Sequence, residues 1–468
     1  MAHGINGSVA GQVQLALLEL EESKGLPFKE LLSKELVAEV VASLKLVVRE
    51  RIYPPAVALW ALLSQVTAGK NATCKKAVSR VVFDRVQQGQ TACSAETSSY
   101  CSARDRLPEG VVSQLTRLTG RDLDKKAPTE WLWHGRTVKI ADGSTFTMAD
   151  TPANQEKYPQ SKNQKAGLGF PIARIVIVLS LTVGTVLECA IGACRGKKTG
   201  EQTLFRTLME DAFEAGDIAL ADCLYDCFRD IATLKMRGVD VVFGKKQSRN
   251  VDFRTGKRLG PGDHVVVWEK PKYDKNRFDS KEQWEKLPAR IEIREVRITV
   301  RRKGHRSRTV TIVTTLLDNK QYSAKDLTDL FGMRWHCELD LRSIKRTLGM
   351  HHVPCKSPEM VRKEVWARLL AYNLIRVRMA QAAALHGVRP RTLSFASATN
   401  LIEEFAQALR HARGSELARL EGELLKAIAQ CRVGNRPGRK EPRAVKKRDQ
   451  KHPLLTKPRD QARKGLKA

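Results

Sequence analysis

The stretch Phe331-Gly-Met-Arg334-Trp335-His-Cys337-Glu338-Leu-Asp-Leu341-Arg342-Ser-Ile344-Lys345 decides how the rest of the chain is read. Its charged residues recur at intervals of three, four and seven. On a helix, a seven-residue step returns to within roughly 20° of its start. The spacing therefore predicts one helix with Phe331, Arg334, Glu338, Arg342 and Lys345 on a single stripe. Leu327, Leu330, Cys337, Leu341, Ile344 and Leu348 fall on an adjacent arc, the expected packed side. The stripe holds one carboxylate flanked by cations. By itself it reads as a surface helix with i,i+4 ion pairs; two aspartates elsewhere in the chain give it another meaning.

Working outward, the 468 residues suffice for two to four domains and a sizeable core. Lys and Arg number 82 against 51 Asp and Glu, a formal charge of +31. So large an excess opposes compaction unless an anionic partner is met, and nucleic acid is the usual one. No long basic amphipathic helix supports a membrane surface instead. Met1 to Gly11 lacks the pattern of a signal peptide. Ile175 to Ala193, broken by Gly184 and carrying Glu188, reads as two strands rather than a membrane span. The ten cysteines include no C-x-x-C couple, and neither zinc nor a disulfide framework is expected. A soluble, intracellular, polyanion-binding protein with reduced thiols is the reading.

Residues 1–125 have helical periodicity: Val13 to Leu20, Leu31 to Val41 ahead of Pro54-Pro55, then Ala56 to Val66 and Cys74 to Val86. The last two flank the turn Ala-Gly69-Lys-Asn71. They have the form of a helix pair that enters a DNA groove, with Lys75, Lys76, Arg80 and Arg85 on the second member, or of a hairpin that only packs.

After about residue 126 the texture changes to strands. Thr137 to Ile140 is expected to end in an acidic turn at Asp142. A Gly/Lys-rich loop (157–169) and a hairpin (172–192) follow, then a helix opened by Thr199-Gly200-Glu201. Asp217 to Asp222 is a short apolar strand ending again in an aspartate. A helix to Arg237 and a strand Val239 to Phe243 complete an α/β layer around a mixed sheet. Val265 to Trp268, Ile291 to Val300 and Thr309 to Leu317 are expected as strands of an insertion. Beyond Met350 the chain is helical again, with Ser357-Pro358-Glu359 as a strong start and further helices near 394–408 and 415–430. From Val433 the tail holds 13 basic and three acidic residues. It reads as extended or disordered until DNA or a partner orders it.

Asp142 and Asp222 each close a strand, and Glu338 lies on a late helix. Neighbouring strands ending at one edge would bring the aspartates together, and the helix could deliver the glutamate. Three carboxylates suit Mg²⁺ or Mn²⁺, and two such ions support phosphoryl transfer. The cations beside Glu338 would then hold DNA phosphates.

On these residues the chain resembles the cut-and-paste DDE transposases of the insertion-sequence-four group. The resemblance rests on Asp142-Gly-Ser-Thr, on Ala-Asp222, and on the signature Y-x2-R-x3-E-x6-K, which falls on Phe331, Arg334, Glu338 and Lys345. Phenylalanine replaces the signature tyrosine, and Cys223 follows the second aspartate where relatives often have arginine. The tail from Asn435 to Arg459 is also similar to the ending of many members. The resemblance implies a ribonuclease-H-like catalytic core with a β-rich insertion, flanked by helical N- and C-terminal regions. It implies Asp142, Asp222 and Glu338 as catalytic metal ligands for Mg²⁺ or Mn²⁺, as two ions. It puts Phe331, Arg334, Arg342 and Lys345 against DNA. The division it suggests is 1–125 for DNA-end binding, 126–245 and 319–350 for the core, 246–318 for the insertion, 351–432 for a helical region and 433–468 for the basic tail. Double-stranded DNA, as transposon ends and target, is the implied partner, acted on by a synaptic homodimer in the bacterial cytoplasm at the nucleoid. Trp268 and Trp284 are candidates to stack on a flipped base, or core residues.

Other features read as ordinary. His351-His352 is a loop or DNA-facing pair; Glu156, Glu201 and Asp226 are solvent-facing or capping; Gly167-x-Gly169 lacks the context of a nucleotide loop. Lys165 is a candidate phosphate contact. Two alternatives stay open: a structure-directed nuclease, and a non-catalytic or decayed DNA-binding regulator.

Overall fold

The computed structural model describes residues 34–44, 52–68, 72–275, 280–300, 308–434 and 454–465. The expected helix at Val13 to Leu20, the turn at 69–71, the hairpin turn at 301–307 and most of the basic tail lie outside these residues.

The described chain runs α1 (Lys34–Ser43), α2 (Pro55–Thr67), α3 (Cys74–Gln87), α4 (Ser98–Arg106) and α5 (Glu109–Lys125) before the first strand. Then come β1 (Val138–Met148), α6 (Pro152–Lys157), β2 (Ile172–Ser180), β3 (Val186–Ala193), α7 (Glu201–Ala212), β4 (Ile218–Ala221), α8 (Phe228–Met236) and β5 (Asp240–Gly244). Next are β6 (Lys257–Gly260), β7 (Asp263–Glu269), α9 (Lys281–Glu285), β8 (Arg290–Val300) and β9 (Arg308–Thr314). The last part holds α10 (Ala324–Met333), α11 (Trp335–Arg342), β10 (His352–Val353), α12 (Pro358–Leu385), α13 (Phe395–His411), α14 (Gly414–Gln430) and α15 (Arg459–Lys464).

A single mixed sheet orders its strands β3-β2-β1-β4-β5-β9-β8-β7-β6, and β10 pairs with the far half of β1. β1, β4 and β5 are parallel, while β1-β2-β3 form an antiparallel meander. The molecule is thus mixed α/β with a large central sheet and helices on its faces. The strands at 257–314 join the same sheet through antiparallel β5–β9 pairing. Buried Arg294 locks them there: it grips Asp263 at 2.6 Å and donates to the Tyr322 carbonyl at 2.7 Å, just ahead of α10.

Period-two alternation sorts the strand residues to two cores. Val138, Ile140, Ile218 and Leu220 face one side with α2, α5, α10, α11 and α12. Ala141, Ala219, Ala221 and Val241 face the other with α7 and α8. α12 begins as its sequence predicts, Ser357 capping the Met360 N–H at 3.3 Å and Pro358 at N1. It is apolar around much of its surface, and burial on several sides explains why. Its packing against α5, α2 and α14 joins helices from both ends of the chain into one layer, tied by the Arg362–Glu109 pair at 2.7 Å.

Three expectations change. Asp142 does not end its strand: β1 continues six residues further, to Met148, because β2 supplies partners from Lys139 to Thr147. The helix through Glu338 is not one regular cylinder. It tightens at Arg334, whose N–H bonds back to Phe331, and widens to a π turn at Ser343–Thr347. Part of the tail is not extended, since Arg459–Lys464 forms a short helix.

Candidate active site

Register brings the two aspartates together. In the parallel β1–β4 pair, Ile140 stands opposite Leu220. Asp142 and Asp222 each lie two residues further, so they are level and leave their strands toward the same face. β4 stops at Ala221, whereas β10 meets β1 only from Thr147. Between these two pairings the edge of β1 on this side is open, and Asp142 borders that gap. Each aspartate is oriented by the backbone: Asp142 accepts from the Gly143 N–H at 2.8 Å and Asp222 from the Leu224 N–H at 2.7 Å.

α11 packs on β1 across the gap. Cys337, Leu341 and Ile344 are buried as the apolar arc predicts, as are Leu327, Leu330 and Leu348. Glu338 then lies toward β1, with Arg334 between it and Asp142. One guanidinium nitrogen is 3.2 Å from Glu338 and another is 4.0 Å from Asp142. Lys345 donates from Nζ to the Ser144 hydroxyl at 3.1 Å. The tight turn and the π turn shift the helix phase, yet Arg334, Glu338 and Lys345 all remain on the β1 side. Arg342 is exposed. Phe331 is half-buried at the end of β5, where its ring would meet a Cβ on Gly244 at 3.2 Å.

Two residues past Glu338, Asp340 points the opposite way and is buried. Arg391 holds it in a bidentate pair at 2.8 and 3.0 Å, and Arg376 of α12 adds a third charge-assisted bond. This pins α11 in rotation. His336 beside it is pushed down to about 4 by burial and by Arg391, so its ring is neutral at physiological pH.

Asp142 behaves differently. Burial raises its carboxyl to about 6, with Asp222 and Glu201 adding repulsion against the opposing Gly143 bond and Arg334. A carboxylate so placed gains from a cation. The donors Asp142, Asp222 and Glu338 are all hard oxygens, the class that Mg²⁺ and Mn²⁺ select. Among the described residues, no three acidic, imidazole or thiol side chains stand close enough to hold a metal as they are; Arg334 lies between two of the carboxylates. The donor chemistry fits a divalent ion, and Arg334 bridges two of the three carboxylates.

A family model described as "Transposase DDE domain" matches residues 133–374, more than half of the chain, including Asp142, Asp222 and Glu338. The chain belongs to that family. It is a DDE transposase of the IS4 type, an enzyme of DNA cleavage and strand transfer. It is 27% identical over 365 residues to the transposase InsG of insertion sequence element IS4 from Escherichia coli K12, covering 77% of this chain and 78% of that one. A transposase of insertion sequence element IS421 from Escherichia coli is 31% identical over 77 residues, 16% of this chain and 19% of the relative. The piggyBac transposase in a synaptic complex with hairpin DNA, a solved structure, is 10% identical with a TM-score of 0.39, over 89% of this chain and 85% of that one. Transposases of this family generally use divalent metal ions.

The other residues noted in the sequence find mixed places in the transposase. Trp268 is covered by Arg249, 3.5 Å from the ring centre, and donates to Glu295 at 3.3 Å. Trp284 donates to the Pro271 carbonyl at 2.9 Å, with Lys270 over its ring. His352 bonds Thr147 at 3.0 Å and His351 the Lys345 carbonyl at 3.0 Å, tying the π turn to β1. Asp226 is buried and accepts from the Lys246 N–H at 2.8 Å. Glu156 and Lys165 are exposed. On α3, Lys75 and Lys76 are exposed, but Arg85 donates to the Thr91 carbonyl and Arg80 turns toward Glu403 of α13. No described helix is long and apolar enough to cross a membrane. Glu201 is the residue whose position the sequence missed. It stands beside Asp142, on a helix whose apolar periodicity gives no hint of that proximity.

Proposed function

We propose that Asp142, Asp222 and Glu338 hold two divalent ions, Mg²⁺ or Mn²⁺, in a ribonuclease-H-like core. The observation that carries this reading is the parallel register that levels Asp142 with Asp222 at an open strand edge, with Arg334 reaching both Asp142 and Glu338. When bound, such ions activate a water or a 3′-hydroxyl and stabilise the leaving oxygen.

The chain's own residues bind and orient the DNA. Arg334 and Lys345 hold the phosphates next to the cut, and exposed Arg342 extends this contact outward. Phe331 lacks the phenol of the family signature and supports Arg334 by packing, its ring centre 6.0 Å from the guanidinium. Ser144 keeps Lys345 extended toward the gap. Asp340, clamped by Arg376 and Arg391, fixes the helix so that Glu338 faces the aspartates.

The substrates are the inverted-repeat ends of the element and double-stranded target DNA, taken up in the cytoplasm at the nucleoid. The active form is a synaptic homodimer. The charge of +31 favours such a polyanion. The test is incubation with labelled end DNA, with and without Mg²⁺. Metal-dependent 3′ cleavage at the ends followed by joining is expected. Cutting that ignores the ends would favour a structure-directed nuclease, and binding without cutting a decayed regulator.

A further inference from the structure

Glu201 opens α7, which packs on the face of the sheet opposite α11. An acid in the first turn of a helix is ordinarily explained by the helix dipole. That explanation accounts for the residue type but not for where the side chain goes. The Glu201 carboxylate lies directly over Gly143, the neighbour of Asp142. A Cβ at position 143 would stand 2.2 Å from its carboxyl carbon. Glycine at 143 thus leaves the space through which an acid from the far side reaches the open edge of β1.

A second contact holds it there. The Tyr225 hydroxyl donates to Glu201 at 2.9 Å. Tyr225 is fully buried, its ring edge-on to Phe205 at 4.7 Å, so the hydroxyl is a fixed donor. Tyr225 follows Asp222 by three residues, and one short turn therefore supplies both the second aspartate and the group that aims Glu201. Among the described residues no cation pairs with Glu201, whereas Asp142 and Glu338 share Arg334. A phenol orients a carboxylate without neutralising it. Half-buried Glu201 therefore stands beside Asp142 with no counterion among the described residues.

We infer that Glu201 is a fourth carboxylate of the catalytic centre, sharing a divalent ion with Asp142 across the space left by Gly143. The inference rests on the assignment of Asp142, Asp222 and Glu338 as the metal-binding acids. Its chemistry is that of a hard oxygen donor added to those three. Tyr225 is a positioning residue that acts through Glu201.

The test is calorimetric titration of the full-length protein with Mn²⁺, alongside metal-dependent cleavage of end DNA and metal-free end binding. Glu201→Gln is expected to weaken Mn²⁺ at least 10-fold and to lower cleavage, with end binding and the far-ultraviolet spectrum unchanged. Glu201→Asp keeps the charge that the helix end favours but shortens the reach; it is expected to weaken Mn²⁺ as well. Tyr225→Phe should give a smaller loss in the same direction. Wild-type Mn²⁺ affinity and cleavage in Glu201→Asp, with both lost in Asp142→Asn, would overturn the role of Glu201 and leave the three-acid centre standing. Unchanged Mn²⁺ affinity in Asp142→Asn would remove the underlying assignment and this inference with it.

Discussion

Asp340 and Asp142 lie on elements that pack against each other, α11 and β1, and they show two ways of placing an acid inside a protein. The Asp340 side chain is 2% exposed and satisfied by two guanidinium groups. That of Asp142 is 16% exposed, with one guanidinium at 4.0 Å and two other carboxylates contributing repulsion. The first is a closed charge that fixes a helix. The second is open and under-neutralised, the state expected of a group that awaits a cation. The same helix turn carries both kinds, since Glu338 and Asp340 are two residues apart on opposite sides.

Substitutions should separate the two. The largest effect is expected at the open site. Asp142→Asn or Asp222→Asn should lower cleavage of end DNA by about 10³-fold or more, with end binding retained, as a loss of transition-state charge stabilisation; cleavage and gel-shift assays on one preparation would check this. Next is Asp340→Asn, which leaves Arg376 and Arg391 facing a neutral group. It should cost about 3–5 kcal/mol of stability by denaturant unfolding, and a value near zero would remove the contrast with Asp142.

Asp142→Asn should shift stability the other way when no divalent ion is present. The carboxyl of Asp142 moves from 3.8 to about 6 on folding. Between those values the folded chain keeps a proton that the unfolded chain has released, so this group's contribution falls as pH rises through the window. Above pH 6 it is a net cost of about 1–3 kcal/mol. The asparagine variant should recover part of that cost at pH 7 and flatten the pH dependence of unfolding between about 4 and 6. Added Mn²⁺ should stabilise the wild type more than the variant.

Lys345 sharpens the comparison at the DNA side. Its ammonium is held by Ser144 alone among the described residues. Lys345→Ala should reduce the slope of log affinity against log salt by about one. Removing Arg376 or Arg391 should leave that slope unchanged, because both are spent on Asp340.

Much of this was legible in the sequence. The apolar arc from Leu327 to Leu348 predicted the packed side of the glutamate helix, and the Ser357-Pro358 cap predicted where α12 begins. Asp222 was readable because an apolar run stopped at it. The strand through Asp142 was misjudged because Asp-Gly-Ser has turn composition, and only pairing with distant β2 overrides that preference. The same limit hid the level placement of the two aspartates, which depends on register between β1 and β4. Glu201 was hidden more deeply. Its meaning requires knowing that α7 begins over Gly143 and that Tyr225 reaches Glu201, both long-range facts. Asp340 lay in plain view within the signature stretch, but its arginine partners lie 36 and 51 residues further on.

The most direct measurement is cleavage of end DNA in Mg²⁺ by Glu338→Gln, compared with the wild type at equal end occupancy. Complete loss of cleavage by a folded, end-bound variant is the predicted result. Cleavage at a rate near that of the wild type would contradict the assignment of Glu338, and with it the distinction between the open acids and the closed one.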